Sequence, residues 1–251
     1  MRSCMKFVSH RHSLQPLLSA VALTVILALP VTAQDSDGFS GTADFGFVNA
    51  AGNTEVTTLN LGQELLFGAG PWGVKQTFGS VYGRTDGEVS ASSWRSSLRG
   101  DRTLIGRVGV YLLVAWDRNT FAGVARRFEE GLGLVLRAVD TDSDRLEFEG
   151  GAGFTQVLST DDTRESFVSA RAATTYRRSL GEASHAQFST EFLPNLENSD
   201  DLRVNSIAEL VAPISQRIAT KLSYAIRYDR EPLAGFKSTD RIFTAGLQVS
   251  F

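Results

Sequence analysis

The chain has 251 residues, a formal net charge of −3 and one cysteine. A mildly acidic chain argues against nucleic acid as a partner, and a lone cysteine excludes a disulfide framework. Beyond about residue 33, no run is apolar enough for a transmembrane helix and no helical period recurs. If the chain crosses a membrane, it must therefore do so with strands that close into a barrel.

The N-terminal segment has the parts of a secretory signal peptide. Three basic residues fall within the first eleven positions, 17–31 is an apolar stretch, and small residues lead up to Ala33. A membrane anchor is the less favoured interpretation because the stretch is shorter than the roughly 20 residues of a spanning helix. We predict that 1–33 is a cleaved signal peptide and that 34–251 is one β domain.

Alternating apolar and polar residues then recur along the whole chain, and each segment has the length of a tilted strand that crosses a bilayer. The predicted strands cover 39–48, 56–67, 72–83, 91–103, 107–117, 126–138, 145–156, 165–177, 184–193, 202–211, 217–228 and 240–251. The predicted fold is all-β: a closed antiparallel transmembrane β-barrel of about twelve strands. An even count places both termini on one side, the periplasm.

One face of each predicted strand is apolar and the other is polar, which favours lipid outside and a charged lumen inside. The residues predicted to line the lumen are Glu64, Lys75, Arg95, Arg99, Arg127, Glu129, Arg137, Glu147, Glu149 and Arg171. Four glycines are predicted to form a lumen wall: Gly131, Gly133, Gly151 and Gly153. That wall is either a groove for a small polar solute or room for arginines that reach across.

The hairpins predict particular cross-strand neighbours. Joining strands 2 and 3 through 68–71 pairs Gln63 with Gln76 on the lipid face, where two amides can hydrogen-bond to each other. The other predicted pairs are Phe67 with Trp72, Leu65 with Val74, Glu64 with Lys75, Trp94 with Trp116, and Arg137 with Glu147.

The connections fall into two sets, and the longer, more acidic set is typical of external loops. The periplasmic set is predicted near 68–71, 104–106, 139–144, 178–183 and 212–216. The external set is predicted near 49–55, 84–90, 118–125, 157–164, 194–201 and 229–239. The external pairs Asp161-Asp162 and Asp200-Asp201 are interpreted mainly as solvated acids, with Ca²⁺ or lipopolysaccharide binding as the alternative.

The last predicted strand ends the chain on an aromatic residue. Phe243, Ala245, Leu247 and Val249 share one face with Phe251. This ending is typical of outer-membrane barrels, in which the terminal Phe is a signal for the barrel-insertion machinery.

The chain resembles the YdiY-like family of salt-induced outer-membrane proteins, a domain of unknown function. The resemblance is carried by 52–55, 116–123, 131–133, 150–153, 228–232, 237–240 and the final Phe251. It implies the same fold and a location in the bacterial outer membrane. It implies no substrate and no catalytic residue.

No catalytic, cofactor or metal site is predicted. Barrel enzymes that act on lipid use a Ser-His pair near the outer leaflet, whereas the one histidine after the signal peptide, His185, is expected near the periplasm. The leading hypothesis is a narrow channel or an envelope-maintenance barrel without catalysis. A binding barrel that acts through acidic external loops on lipopolysaccharide or a surface partner is the alternative, and an outer-leaflet lipid-modifying enzyme is less favoured.

Overall fold

A computed structural model describes residues 38–50, 56–181 and 184–251. Its twelve strands form a closed antiparallel barrel in which each strand pairs with its neighbours in the chain and the first pairs with the last. The strands are β1 (Phe39–Ala50), β2 (Val56–Ala69), β3 (Trp72–Thr85), β4 (Glu88–Ile105), β5 (Val108–Asn119), β6 (Val124–Asp140), β7 (Asp144–Ser159), β8 (Arg164–Ser179), β9 (His185–Pro194), β10 (Leu202–Pro213), β11 (Ile218–Asp229) and β12 (Thr239–Ser250). The predicted fold class is confirmed. The predicted signal peptide and the 52–55 turn lie outside the described residues.

Successive residues of each strand point alternately into the barrel and out of it. Tyr111 of β5 is 2% exposed, whereas its neighbour Leu112 is 66% exposed. The same contrast recurs around the barrel, so that a belt of large apolar side chains covers the exterior. A belt of this kind is the surface that a transmembrane barrel presents to lipid.

The two ends of the barrel differ. Connections 70–71, 106–107, 141–143 and 214–217 lie at one end, together with residues 180–181 and 184, the start of β1 and the end of β12; we call it the short-turn end. Connections 120–123, 160–163, 195–201 and 230–238 lie at the other, the long-loop end. Within the described residues, the one helical element is the 3₁₀ turn Thr120–Ala122, and no helix there could cross a membrane.

The connection predicted near 84–90 is present but shorter than expected. β3 continues to Thr85 and β4 begins at Glu88, so that only Asp86 and Gly87 form the turn. Both turn residues have positive φ, 51° and 82°. This is the type I′ geometry that Asp-Gly favours, because its twist matches the twist of the strands that it joins.

The register predicted for β2 and β3 is wrong by two residues. Gln76 faces Leu65, and Gln63 faces Phe78. The predicted contact nevertheless forms along the diagonal, where Gln63 Nε2 donates to Gln76 Oε1 at 3.3 Å. Lys75 and Glu64 likewise form a diagonal ion pair of 2.6 Å.

The other two predicted pairs have different outcomes. Trp94 faces Arg118 rather than Trp116, although the two indole rings still approach to 5.7 Å between centroids. Arg137 faces Glu147 as predicted, and their side chains are 3.4 Å apart.

The last residue of the chain takes part in closing the barrel. Gly41 N donates to Phe251 O at 2.8 Å, and Phe251 N donates to Gly41 O at 2.9 Å. The Phe251 ring lies directly over Gly41, where it would meet an added Cβ. Recognition of Phe251 by the insertion machinery stays a prediction.

Candidate functional site in the lumen

The ten charged residues expected in the lumen all lie on the strand faces that point away from the apolar belt. Some of their ion pairs join strands that are not adjacent, which places these side chains inside the barrel. Glu129 of β6 shows this best: its two oxygens accept from Arg95 of β4 at 2.9 Å and from Arg203 of β10 at 2.6 Å. Three strands lie between β6 and β10 in the barrel, so the pair between Glu129 and Arg203 crosses the lumen.

A second group of charges lies deeper, toward the short-turn end. Arg99 of β4 binds Asp101 and, across two intervening strands, Glu149 of β7, each at 2.7 Å. Arg171 of β8 also binds Glu149, and it binds Glu191 at 3.2 Å. Arginines from opposite sides of Glu149 therefore share one carboxylate, and this arrangement narrows the lumen at its centre.

Tyr111 occupies the space that the glycines open. A Cβ on Gly133 or on Gly151 would lie 2.7 Å from Tyr111 Oη, so the tyrosine lies against these two residues. The guanidinium carbons of Arg99 and Arg171 are 4.4 and 5.4 Å from the ring centroid, and Arg171 Nη1 donates to Oη at 3.2 Å.

Neither predicted use of the glycine wall is found at Gly133 and Gly151, because an aromatic ring fills the space and the arginines flank that ring. Elsewhere on the wall, Gly153 leaves room for the backbone of Glu130, whose carbonyl oxygen would be 2.5 Å from an added Cβ. Gly131 is less crowded, with its nearest neighbour at 3.7 Å. Tyr111 was missed from the sequence, although alternation along β5 already turned it inward.

A third group was not predicted. Lys221 binds Asp44 at 2.8 Å and Glu209 at 2.9 Å, and Gln248 also donates to Asp44 at 2.8 Å. These residues come from β1, β10, β11 and β12, on the side of the barrel where it closes. Their inward positions follow from alternation. In the sequence, however, each has only apolar or small neighbours, so the sequence shows no cluster of charges.

A cavity of about 330 Å³ opens above the Glu129 pairs, toward the long-loop end; we call it the vestibule. Its charged lining residues are Arg95, Asp117, Arg127, Arg171, Glu191, Arg203, Arg227, Asp229, Lys237 and Asp240. Cations thus exceed anions in the lining.

Two guanidinium nitrogens in the vestibule lack an acceptor among the described residues: Nε of Arg127 and Nη2 of Arg203. Arg203 is only 5% exposed, and Arg127 has Asp117 as its nearest carboxylate, at 3.9 Å. A buried donor without a partner is unfavourable, so each of these two arginines has hydrogen-bonding capacity that the described protein does not use.

Long loops lie across the entrance to the vestibule. Asn198 Nδ2 donates to Glu231 Oε2 at 2.7 Å, which joins 195–201 to 230–238. The second loop also packs on the 3₁₀ turn, where a Cβ on Gly123 would lie 2.9 Å from Leu233 Cβ. Asn119 donates to Asp240 at 3.4 Å across the mouth. The loops therefore contact one another and the 3₁₀ turn over the vestibule.

Several predicted residues lie away from the vestibule. Glu64 with Lys75 and Arg137 with Glu147 form separate pairs in the short-turn half. His185 begins β9 at the short-turn end, distant from the long loops. In the loop 160–163, the backbone N–H of Thr163 donates to Asp161 at 3.0 Å and lowers the pKa of that carboxyl. Residues 38–50, 56–181 and 184–251 contain no cluster of potential metal ligands.

Comparison with known proteins gives a family and a fold. The profile of the family described as "Protein of unknown function, DUF481" matches residues 43–251. The COG4313 outer membrane channel from Pseudomonas putida F1 superposes with a TM-score of 0.51 at 10% identity, over 87% of this chain and 96% of that chain. At this identity the likeness concerns the fold alone.

Two further solved structures are more distant. The NanC porin has a TM-score of 0.45 at 8% identity, over 86% of this chain and 98% of that chain. The translocator domain of the autotransporter NalP from Neisseria meningitidis has a TM-score of 0.45 at 13% identity, over 88% and 90%. No curated protein is significantly similar to the chain.

Proposed function

The chain belongs to the DUF481 family, whose function is unknown, and from the geometry of its own lumen we propose that it is an outer-membrane barrel that forms a narrow, anion-preferring passage. In this proposal the protein carries out no catalysis. The short-turn end and both termini face the periplasm, and the long loops face outward.

The exterior supports the membrane location. Large apolar side chains cover the barrel on every side, and Phe243 is 65% exposed. Burial of apolar surface is worth about 25 cal/mol per Å², so a belt of this extent is stable only against lipid or detergent. Some polar residues on this face pair with each other, as Thr190 and Ser206 do at 2.8 Å between their hydroxyls.

The observation that carries the proposal is the excess of positive charge around the vestibule, where six cationic side chains line the cavity with four anionic ones. Arg127 and Arg203 are among them, and each keeps one buried guanidinium nitrogen without an acceptor in the described protein. Arg227 also lines the cavity and forms none of the ion pairs found in the described residues. Guanidinium groups bind carboxylate and phosphate oxygens with fixed geometry, so we infer a small anion of this kind as the solute.

The paired charges below the vestibule limit the size of what can pass. The Glu129 pairs and the Glu149 pairs both reach across the lumen. Charged side chains in a pore can select ions as well as obstruct it. We therefore expect small conductance steps rather than those of a general porin.

Reversal potentials in planar bilayers test the proposal. In a salt gradient, the wild-type protein should conduct with anion preference, and Arg127→Gln combined with Arg227→Gln should shift the reversal potential toward cations. Arg178→Gln, on the outer surface at the short-turn end, is the matched control and should change neither conductance nor selectivity. Cation preference in the wild type, or an absence of opening events at every voltage, would overturn the passage and leave an envelope-maintenance role.

A further inference from the structure

Three arginines form a row on the outer face of the barrel at the long-loop end. Arg126 of β6 faces Leu158 of β7, and Leu158 faces Arg164 of β8. Arg118 of β5 lies beside them, at the bulge where β5 meets β6. All three side chains are exposed and share the face that carries Phe128 below them. We call Arg118, Arg126 and Arg164 the arginine row.

The arginine row is not neutralised by the protein. Within the described ranges, none of its members has an ion pair or a side-chain hydrogen bond. Two other outward arginines do have partners: Arg84 donates to Gly87 O at 3.1 Å, and Arg178 lies 3.6 Å from Asp144. Three adjacent unpaired cations repel one another, so their arrangement fits an external anion.

The surface below the arginine row changes from polar to apolar in steps. The next row contains Phe128 facing Gln156, which faces Ser166. Both polar residues are exposed and can bond to the linkage groups of a lipid. One carboxyl, Glu130, lies a further step down between Val114 and Phe154.

Small residues then make the wall shallow. Ala152 faces Ala170, and Gly150 faces Ala172, all on the outer face of β7 and β8. A Cβ on Gly150 would meet nothing within 4 Å, so this area is open. Acyl chains can lie flat against such a depression. From the long-loop end toward the middle of the barrel, the surface is therefore first cationic, then polar and then apolar. This order is complementary to the phosphate groups, linkage groups and acyl chains of a phosphorylated lipid.

We propose that the arginine row binds the phosphate groups of a phosphorylated glycolipid of the lipid A class in the outer leaflet, with its acyl chains on the faces of β5 to β8. The orientation rests on the proposed function, which places the long-loop end outside. From the sequence, acidic loops were the candidates for lipopolysaccharide; charge complementarity favours the arginine row instead. Arg118 and Arg126 would each hold phosphate oxygens through two N–H donors, and Arg164 would bind at the rim.

Lipid binding to the purified full-length protein tests this proposal. The probe is diphosphorylated lipid A, titrated into detergent-solubilised protein and followed by native mass spectrometry. The double variant Arg118→Gln/Arg126→Gln should bind it at least about tenfold more weakly. A hydrogen bond from a charged guanidinium contributes more free energy than a hydrogen bond from a neutral amide. Arg241→Gln is the matched control, because Arg241 is an exposed arginine on the outer face of β12.

Three results would overturn the proposal: equal binding by the double variant and the wild type, equal binding of dephosphorylated lipid A, or displacement of the lipid by millimolar inorganic phosphate, which would indicate a site for free phosphate. Heat-modifiable migration on a gel verifies folding of each variant. If the double variant fails to fold, Arg126→Gln alone should still weaken binding about threefold, and unchanged binding would overturn the proposal.

Conductance separates this proposal from the proposed function. The double variant should lose lipid affinity and keep wild-type anion preference, because the arginine row is outside the lumen. A barrel that binds lipid A but never conducts would refute only the passage, whereas an anion-selective barrel with no lipid A affinity would refute only the arginine row.

Discussion

Replacing Glu129 with glutamine tests whether the charges across the lumen hold the barrel together. Glu129 accepts from Arg95 at 2.9 Å and from Arg203 at 2.6 Å, and the Arg203 side chain is almost wholly buried. Glu129→Gln keeps the shape but leaves two guanidinium groups beside a neutral amide. Loss of one partner of a buried ion pair typically destabilises a protein by about 3–5 kcal/mol, and we expect a decrease of that size in the free energy of unfolding.

Glu64→Gln is the matched control, since it makes the same chemical change on the same inner surface. Glu64 binds Lys75 at 2.6 Å, but these side chains are 38% and 41% exposed. An exposed pair contributes about 0–1 kcal/mol, so the control should unfold nearly as the wild type does.

Urea-induced unfolding in lipid vesicles, followed by tryptophan fluorescence and by gel migration, measures both variants against the wild type. The midpoint should fall for Glu129→Gln with an unchanged slope, because a similar surface is exposed on unfolding. The reasoning is refuted if Glu129→Gln lies within 1 kcal/mol of the control, since burial of the pair would then not determine its contribution.

Three further predictions concern the wall and the lipid face. Tyr111→Ala should lower the free energy of unfolding by about 3–5 kcal/mol by leaving a cavity, whereas Tyr111→Phe, which loses one hydrogen bond, should lower it by about 1–3 kcal/mol; urea titration distinguishes them. Gly133→Ala should prevent folding, seen as loss of heat-modifiable migration on a gel, because its Cβ would lie 2.4 Å from Gly150 O. Gly150→Ala has open space around it and should fold normally. Gln63→Leu should destabilise the barrel by about 1 kcal/mol because it removes the amide that donates to Gln76 Oε1, and adding Gln76→Leu should restore stability; thermal unfolding in vesicles measures both.

The faces of the strands were predictable because side-chain direction alternates with a period of two and needs only local sequence. β12 shows this: Leu247 and Val249 were placed outside and Gln248 inside, and the structure has them there. β7 likewise turns Glu147 and Glu149 inward, as alternation requires. The prediction of an all-β barrel depended on this property together with the length of each segment and the absence of an apolar helical run beyond about residue 33.

The registers were less predictable because they depend on where each turn begins. The sequence suggested a four-residue loop over 68–71, whereas β2 continues to Ala69 and only Gly70 and Pro71 turn. Extending the strand by two residues moves every opposite residue by two. At Asp86-Gly87, by contrast, the dipeptide itself is a strong hairpin signal that the sequence interpretation did not use.

A slip of two residues explains why wrong registers still gave correct contacts. Because the period is two, the slip keeps each side chain on its face and only moves its partner one step along the diagonal, within reach of long side chains. Glu64 therefore still finds Lys75. Partners across the lumen follow a different rule, since Glu129 meets Arg203 only because twelve strands close with a particular stagger. That stagger is a property of the whole ring, so local patterns can assign a residue to the lumen but cannot identify the residue that it binds there.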